Sequence, residues 1–335
     1  MEMPMRLLTI LCALACAAPA VAQTPRRNVV LFVADGLRSK IVRPDTAPNM
    51  ARLRAEGVDF ANSHSIFPTF TTANASVMAT GHYLGDTGDW SNTIYTGYPT
   101  KVATGTTVTP FLESNPVLGD VDGHFGGDYL DEETILRAAA RKGYQTAAVG
   151  KVGPTLIFDH KDRTGAETVI IDDQTGTDRG IPLPQWVADG LTRMAPKIGP
   201  KTPERGENGK LGTKVANVEQ QRWMAEAVST VILPRFKSED KPFLLVFWSR
   251  DPDGTQHNQG DSPNMLVPGI NGPTSMAAIR NADNNLGEIR NALAQLGLDK
   301  TTDVIVVADH GFSTIDKASA TSPAASTTSC AAARD

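Results

Sequence analysis

The sequence predicts an α/β fold built on a mostly parallel sheet with helices on both faces. Three apolar runs, at residues 29–34, 243–248 and 304–308, have the length and the β-branched or aromatic content of buried strands. Helical patterns alternate with these runs, and that alternation is typical of a parallel sheet. Acidic or imidazole side chains follow each run, which predicts a group of ligands at the carboxyl edge of the sheet.

The other elements follow from local signals. A fourth strand is expected at 146–149, and segments 82–130 and 157–212 are expected to be loop-rich insertions because they are polar and lack a clear period. Apolar spacing and terminating glycines predict the helices. These helices are expected over 47–56, at the end of segment 68–80, and over 131–142, 215–236 and 276–296.

Length and charge limit the classes of function. The chain has 335 residues, 40% of them hydrophobic, and a formal net charge of −5. This length and composition suit one large α/β domain with insertions, expected over residues 23–316, or two domains. No block of basic residues appears, so a nucleic-acid-binding face is not expected. Nothing in the composition determines the oligomeric state.

Both ends of the chain differ from the globular part. Residues 1–22 have the charged start, short apolar core and Ala-Val-Ala cleavage pattern of a signal peptide, which predicts a periplasmic or secreted protein. A lipoprotein modified at Cys16 is the second interpretation. The apolar core is too short to span a membrane, and no later segment approaches that length. Residues 317–335 form a low-complexity Ser/Ala/Thr tail that is expected to be disordered.

Potential metal ligands follow three of the predicted strands. Asp35 directly follows the first, and Asp309 and His310 follow the last. Asp253 and His257 are four residues apart, a spacing that on a helical turn directs both side chains to one side. Taken singly, each of these residues is better explained as a helix cap or as a solvated side chain. Together at one sheet edge, carboxylates and imidazoles favour a divalent metal site.

A hydroxyl-rich segment precedes the second predicted helix. Thr71 lies near the start of that helix, where backbone N–H groups and the helix dipole favour anions. Asn74 lies three residues later on the same face and is a candidate contact for a phosphoryl oxygen. The simpler alternative is that Thr71 only caps the helix.

Taken together, these segments resemble the nucleotide pyrophosphatase/phosphodiesterase branch of the alkaline phosphatase superfamily. They occur in the family's order, between about residue 28 and residue 313. The segments that carry the resemblance are the strand ending in Asp35-Gly36, the Pro-x-x-Thr-x-x-Asn run at 68–74, the Pro-Asp-x-x-x-His-x-x-Gly run at 252–260, and Asp309-His310-Gly311.

The resemblance implies an alkaline-phosphatase-like fold and a centre of two Zn²⁺ ions. One ion would be bound by Asp35, Asp309 and His310. Thr71 would be a further ligand of this ion, which would activate its hydroxyl. The other ion would be bound by Asp253 and His257, at the leaving-group oxygen. Two metal ions about 4 Å apart can stabilise both the attacking and the departing oxygen of a phosphoryl transfer.

The resemblance also assigns the reaction. Thr71 would be the nucleophile of a phosphoric ester hydrolase and Asn74 would contact the phosphoryl oxygens. The expected substrate is a small phosphate ester or a nucleotide. Lys151, at the tip of the fourth strand, is a further candidate for contact with the anionic substrate, with a solvated surface lysine as the alternative.

The chain departs from the family pattern in one important respect. The family supplies a further histidine to the second metal, well downstream, whereas no histidine follows His310 here. We therefore expect a C-terminally truncated family member with an incomplete second site. Two alternatives stay open: a catalytically impaired metal-binding homologue, or a phosphonate or phosphomonoester hydrolase. His64, His82, His124 and His160 are poor substitutes because each lies in a polar stretch, with His82 the least implausible.

Overall fold

A computed structural model describes residues 26–102, 105–262 and 265–314. Within them, five strands form one sheet in the order β5-β4-β6-β1-β7, and every neighbouring pair is parallel. The predicted fold class is therefore confirmed. A separate hairpin pairs β2 with β3. The strands are β1 Asn28–Ala34, β2 Thr100–Val102, β3 Gly105–Thr107, β4 Gln145–Gly150, β5 Thr168–Asp172, β6 Phe243–Ser249 and β7 Thr302–Val307.

Helices cover both faces of the sheet and enclose two apolar clusters. Phe32 and Phe247 stack at 5.2 Å in one cluster. Val33 and Trp248, the next residue in each of those strands, lie in the other cluster, because successive side chains of a strand point to opposite faces. The helices are α1 Pro48–Glu56, α2 Thr71–Thr80, α3 Leu84–Thr87, α4 Asn115–His124, α5 Ile135–Arg141, α6 Pro154–Ile157, α7 Gln185–Met194, α8 Val218–Ala227, α9 Leu233–Ser238, α10 Asp253–Asn258 and α11 Pro273–Gln295.

Several helix boundaries differ from the sequence expectation. The helix expected from residue 131 begins at Ile135, with Thr134 in an extended conformation before it. The single helix expected over 215–236 is interrupted by a π-helical turn, Val228–Ile232, between α8 and α9. Local propensity indicates neither the later start at Ile135 nor the π-helical turn.

Two further expectations need correction. The run at 304–308 was expected to be buried on both faces, but β7 is the last strand of the described sheet, and Ile305 is 45% exposed. The polar segment 157–212 contains β5 and α7 as well as loops, and segment 82–130 contains α4 and the hairpin. β5 has only five residues, and so short a run does not show whether it is a strand or part of a helix.

The register of the strands brings the predicted ligands to one edge. Ala34 of β1 lies opposite Ser249 of β6, and Val33 lies opposite Val307 of β7. The residues that follow these strands therefore emerge at the same edge of the sheet. Among the described residues, no helix is long and apolar enough to cross a membrane. The predicted signal peptide, residues 1–22, and the tail, residues 317–335, lie outside the described residues.

Candidate active site

The carboxyl edge of the sheet holds a compact group of ionisable side chains. Asp35 follows β1, Lys151 follows β4, Asp253 begins α10 after β6, and Asp309 and His310 follow β7. All but His310 are buried. Thr71, the first residue of α2, is also buried and completes the group.

One part of this group has the spacing of a metal site. Ligand atoms of Asp35, Asp309 and His310 lie within 4.8 Å of one another. His310 Nε2 is 3.5 Å from Asp35 Oδ1, 3.4 Å from Asp309 Oδ2 and 3.3 Å from Thr71 Oγ1. Tetrahedral bonds of about 2.0–2.1 Å to zinc put neighbouring ligand atoms roughly 3.3 Å apart. The three distances from His310 Nε2 therefore have the spacing of ligands around one metal ion, and we call this group site 1.

Each carboxylate of site 1 is anchored through one oxygen and open through the other. Asp35 Oδ2 accepts hydrogen bonds from Lys151 Nζ and from Trp248 Nε1, both at 2.9 Å. Asp309 Oδ1 accepts hydrogen bonds from the backbone N–H groups of Gly36 and His310, both at 3.0 Å. The other oxygens, Asp35 Oδ1 and Asp309 Oδ2, are buried without a hydrogen-bond partner among the described residues. Buried oxygens of this kind are unfavourable unless a cation binds them.

The imidazole of His310 is oriented for the same purpose. His310 Nδ1 donates to the carbonyl oxygen of Gly311 at 2.7 Å. That bond assigns the proton to Nδ1 and leaves Nε2 as a free electron-pair donor facing site 1. Burial, followed by the charge of Asp35, raises the pKa of Asp309 well above its usual range. Without a metal ion, negative charge on both carboxylates is therefore unfavourable, because the two charges repel each other in a buried site.

Asp253 and His257 form a second, smaller pair, which we call site 2. Asp253 Oδ1 is 3.2 Å from His257 Nε2, and it is buried without a hydrogen-bond partner among the described residues. Burial raises the pKa of Asp253, but the charges of Lys151 and His257 lower it by more, and the nearby Asp253 carboxylate raises the pKa of His257. The His257 side chain is 64% exposed and lies edge-on to the Phe312 ring at 4.9 Å.

No third ligand joins site 2 in the described parts of the chain, where Asp35, Asp309 and His310 are the only group of three or more suitable ligands. The other four histidines contact different groups. His64 is near Asn62, His82 near Asp86 and Glu132, His124 stacks on Tyr98, and His160 is paired with Asp122.

The predicted nucleophile lies at site 1, next to Lys151. Thr71 Oγ1 is 3.3 Å from His310 Nε2 and 3.5 Å from Lys151 Nζ. Its position as first residue of the ten-residue helix α2 places it at the positive end of the helix dipole. The hydroxyl therefore lies where both a cation and the helix stabilise negative charge on oxygen.

Asn74 has different contacts from those expected. Its amide nitrogen donates to the carbonyl oxygens of Ile66 and Phe70, and its oxygen accepts from the N–H of Ile66. Both amide hydrogens are therefore engaged by the loop that leads into α2. In this arrangement Asn74 holds the loop before Thr71, and no donor of its side chain remains for a phosphoryl oxygen.

Lys151 is buried in the centre of the group rather than solvated. Its Nζ lies 2.9 Å from Asp35 Oδ2, 2.9 Å from Glu113 Oε1 and 3.5 Å from Asp253 Oδ2. Burial lowers the pKa of Lys151, but these three carboxylates raise it by more. The ammonium therefore stays charged. Sequence patterns do not indicate Glu113, which lies in segment 82–130, or the indole donor of Trp248, because only the folded chain brings them to Lys151 and Asp35.

This fold places a possible metal-binding group of Asp and His side chains at the carboxyl edge of a parallel sheet. The family model for type I phosphodiesterase/nucleotide pyrophosphatase matches residues 29–327. The chain therefore belongs to this family, a branch of the alkaline phosphatase superfamily, and it is a phosphoric ester hydrolase. No curated protein matches the chain significantly.

Proposed function

We propose that the chain is an exported, metal-dependent phosphodiesterase or nucleotide pyrophosphatase that uses Thr71 as its nucleophile. The observation that carries the proposal is the position of Thr71 Oγ1, 3.3 Å from His310 Nε2 and beside the open oxygens of Asp35 and Asp309. A hydroxyl needs activation before it attacks phosphorus, and a neighbouring cation provides it.

Site 1 supports the metal requirement. Its donors are two carboxylate oxygens, one imidazole nitrogen and one hydroxyl, a set that suits Zn²⁺. A bound ion would supply Lewis-acid stabilisation of the hydroxyl oxygen and of the phosphoryl oxygens. Site 2 offers two protein ligands, Asp253 and His257, for the second Zn²⁺ that the family resemblance implies.

The residues of the chain account for the remaining steps. Thr71 Oγ1, after giving its proton to water, attacks phosphorus, and the bond from phosphorus to the leaving oxygen breaks as that oxygen takes up a proton from water. The phosphoryl group, with its remaining ester substituent, stays on Thr71 until a water molecule attacks phosphorus, which releases a phosphate monoester and returns a proton to Oγ1. Lys151 Nζ, 3.5 Å from Thr71 Oγ1, is close enough to donate a hydrogen bond to a phosphoryl oxygen on that hydroxyl. Asn74 holds the loop at 66–70, and so keeps the start of α2 in position.

The class of substrate follows from the family, and the location follows from the N-terminus. A small phosphodiester or nucleotide is the proposed substrate. The proposed location is the periplasm or the cell exterior, based on the signal-peptide pattern of residues 1–22. The main alternative, an impaired homologue that binds metal, is favoured by one observation: site 2 has only two ligands in the described parts of the chain.

Hydrolysis of bis-p-nitrophenyl phosphate by zinc-loaded protein tests the proposal. Thr71→Ala should lower kcat at least about a thousandfold and keep the zinc bound at Asp35, Asp309 and His310. Thr80→Ala, at the other end of α2, is the matched control and should retain activity. Equal rates for the Thr71 variant and the unmodified chain would reject the nucleophile, and zinc-free protein of full activity would reject the metal requirement.

A further inference from the structure

The buried ammonium of Lys151 lies between the two candidate metal sites. We infer that the chain binds one metal ion tightly, at Asp35, Asp309 and His310, and that Lys151 supplies the second positive charge of the centre and weakens binding of a second ion at site 2. This inference rests on the proposed function, because it concerns the composition of the same centre.

The two oxygens of Asp35 divide the centre into two halves. Oδ2 is occupied by the donors of Lys151 and Trp248, whereas Oδ1 is open and faces His310. Lys151 therefore leaves site 1 accessible. Because it reaches Asp35 from the other side, its charge reinforces the orientation that presents Oδ1 to a metal ion.

On the other side, the same ammonium contacts site 2. Lys151 Nζ is 3.5 Å from Asp253 Oδ2, while Oδ1 of that carboxylate faces His257. A dication bound between Asp253 and His257 would share the carboxylate with the ammonium. Like charges a few ångströms apart repel strongly where protein partly excludes water, so the second ion binds against this repulsion.

Lys151 cannot easily withdraw from that position. Glu113 holds Nζ at 2.9 Å, and the Lys151 side chain is 3% exposed. Moving the ammonium away would separate it from three carboxylates in a buried site, which is unfavourable. By contrast, His257 is 64% exposed, and site 2 has two ligands in the described residues, fewer than the three or four of typical protein zinc sites.

Zinc titration of metal-free protein, with a chromophoric chelator as competitor, tests the inference. The unmodified chain should bind one equivalent tightly and a second at least about tenfold more weakly. Lys151→Met keeps the length of the side chain and removes its charge, so the second equivalent should bind at least about tenfold more tightly than in the unmodified chain. Lys300→Met, at an exposed lysine, is the matched control and should titrate like the unmodified chain.

A charge-balanced variant guards against loss of folding. Lys151→Met combined with Glu113→Gln removes one positive and one negative charge, and it should still bind the second equivalent more tightly than the unmodified chain. In the unmodified chain, two zinc equivalents of similar affinity would overturn the inference, and one tight equivalent would support it. This result does not depend on whether the variants fold. An unchanged second affinity in the folded variants would also overturn the inference. Failure of the proposed function appears separately, as hydrolysis that does not depend on Thr71.

Discussion

Replacing Asp309 by Asn should change stability in opposite directions with and without zinc. The Asn oxygen can still accept the N–H groups of Gly36 and His310, but the open position at Oδ2 loses its charge. Two carboxylate charges within 4.8 Å of one another repel by roughly 3 kcal/mol at an effective dielectric constant of about 20. The raised pKa of Asp309 and the charge of Lys151 relieve part of this repulsion. We therefore expect metal-free Asp309→Asn to be about 1–2 kcal/mol more stable than the unmodified chain.

Zinc should reverse that order. At a zinc concentration about a hundredfold above the dissociation constant of site 1, binding stabilises the unmodified chain by about 2.7 kcal/mol. The Asn variant should lose most of this gain. Urea unfolding near pH 8, with a chelator or with zinc, measures both effects, and Asp299→Asn at an exposed position is the control. Equal zinc stabilisation of both chains, or a less stable metal-free variant, would refute the account of site 1.

Two further predictions concern Asp89, a buried carboxyl that accepts from Tyr129, and Trp248, which contacts Asp35. Burial raises the pKa of Asp89 to about 7, so the folded chain holds a proton that the unfolded chain loses near pH 4. The stability that this proton supplies is complete below about pH 4 and is lost as the pH rises through about 7. Asp89→Asn should therefore reduce the fall in unfolding free energy over this pH range, as measured by urea titrations. An unchanged pH dependence in the variant would contradict this role of Asp89. Trp248→Phe removes the indole donor to Asp35 Oδ2 and should weaken zinc binding about tenfold to a hundredfold in chelator competition, whereas unchanged affinity would argue against an orienting role.

The sequence was sufficient to predict that Asp35, Asp309 and His310 lie together at the carboxyl edge of the sheet. Apolar runs identify β1, β6 and β7, and parallel strands present their carboxyl ends at one edge of a sheet. The short sequence distance from each strand to Asp35 and to Asp309 therefore determines where these side chains emerge. Alternation of strands with helices was similarly sufficient for the fold class.

Sequence patterns did not predict the contacts between segments that are distant in the chain. Glu113 meets Lys151 and Trp248 meets Asp35 only after β1, β4 and β6 are side by side. The hydrogen bonds of Asn74 to Ile66 and Phe70 depend on the path of a loop that has no period. The exposure of Ile305 depends on the place of β7 in the sheet, which an apolar run alone does not determine.

The central claim is that Thr71 carries the phosphoryl group during turnover. Rapid acid quenching of zinc-loaded protein during hydrolysis of bis-p-nitrophenyl phosphate, followed by peptide mass spectrometry, tests it most directly. The account predicts a substrate-derived phosphoryl group on the peptide that contains Thr71, and none on that peptide from Thr71→Ala protein. Continued hydrolysis by Thr71→Ala protein, or a phosphoryl group on a different residue, would contradict it.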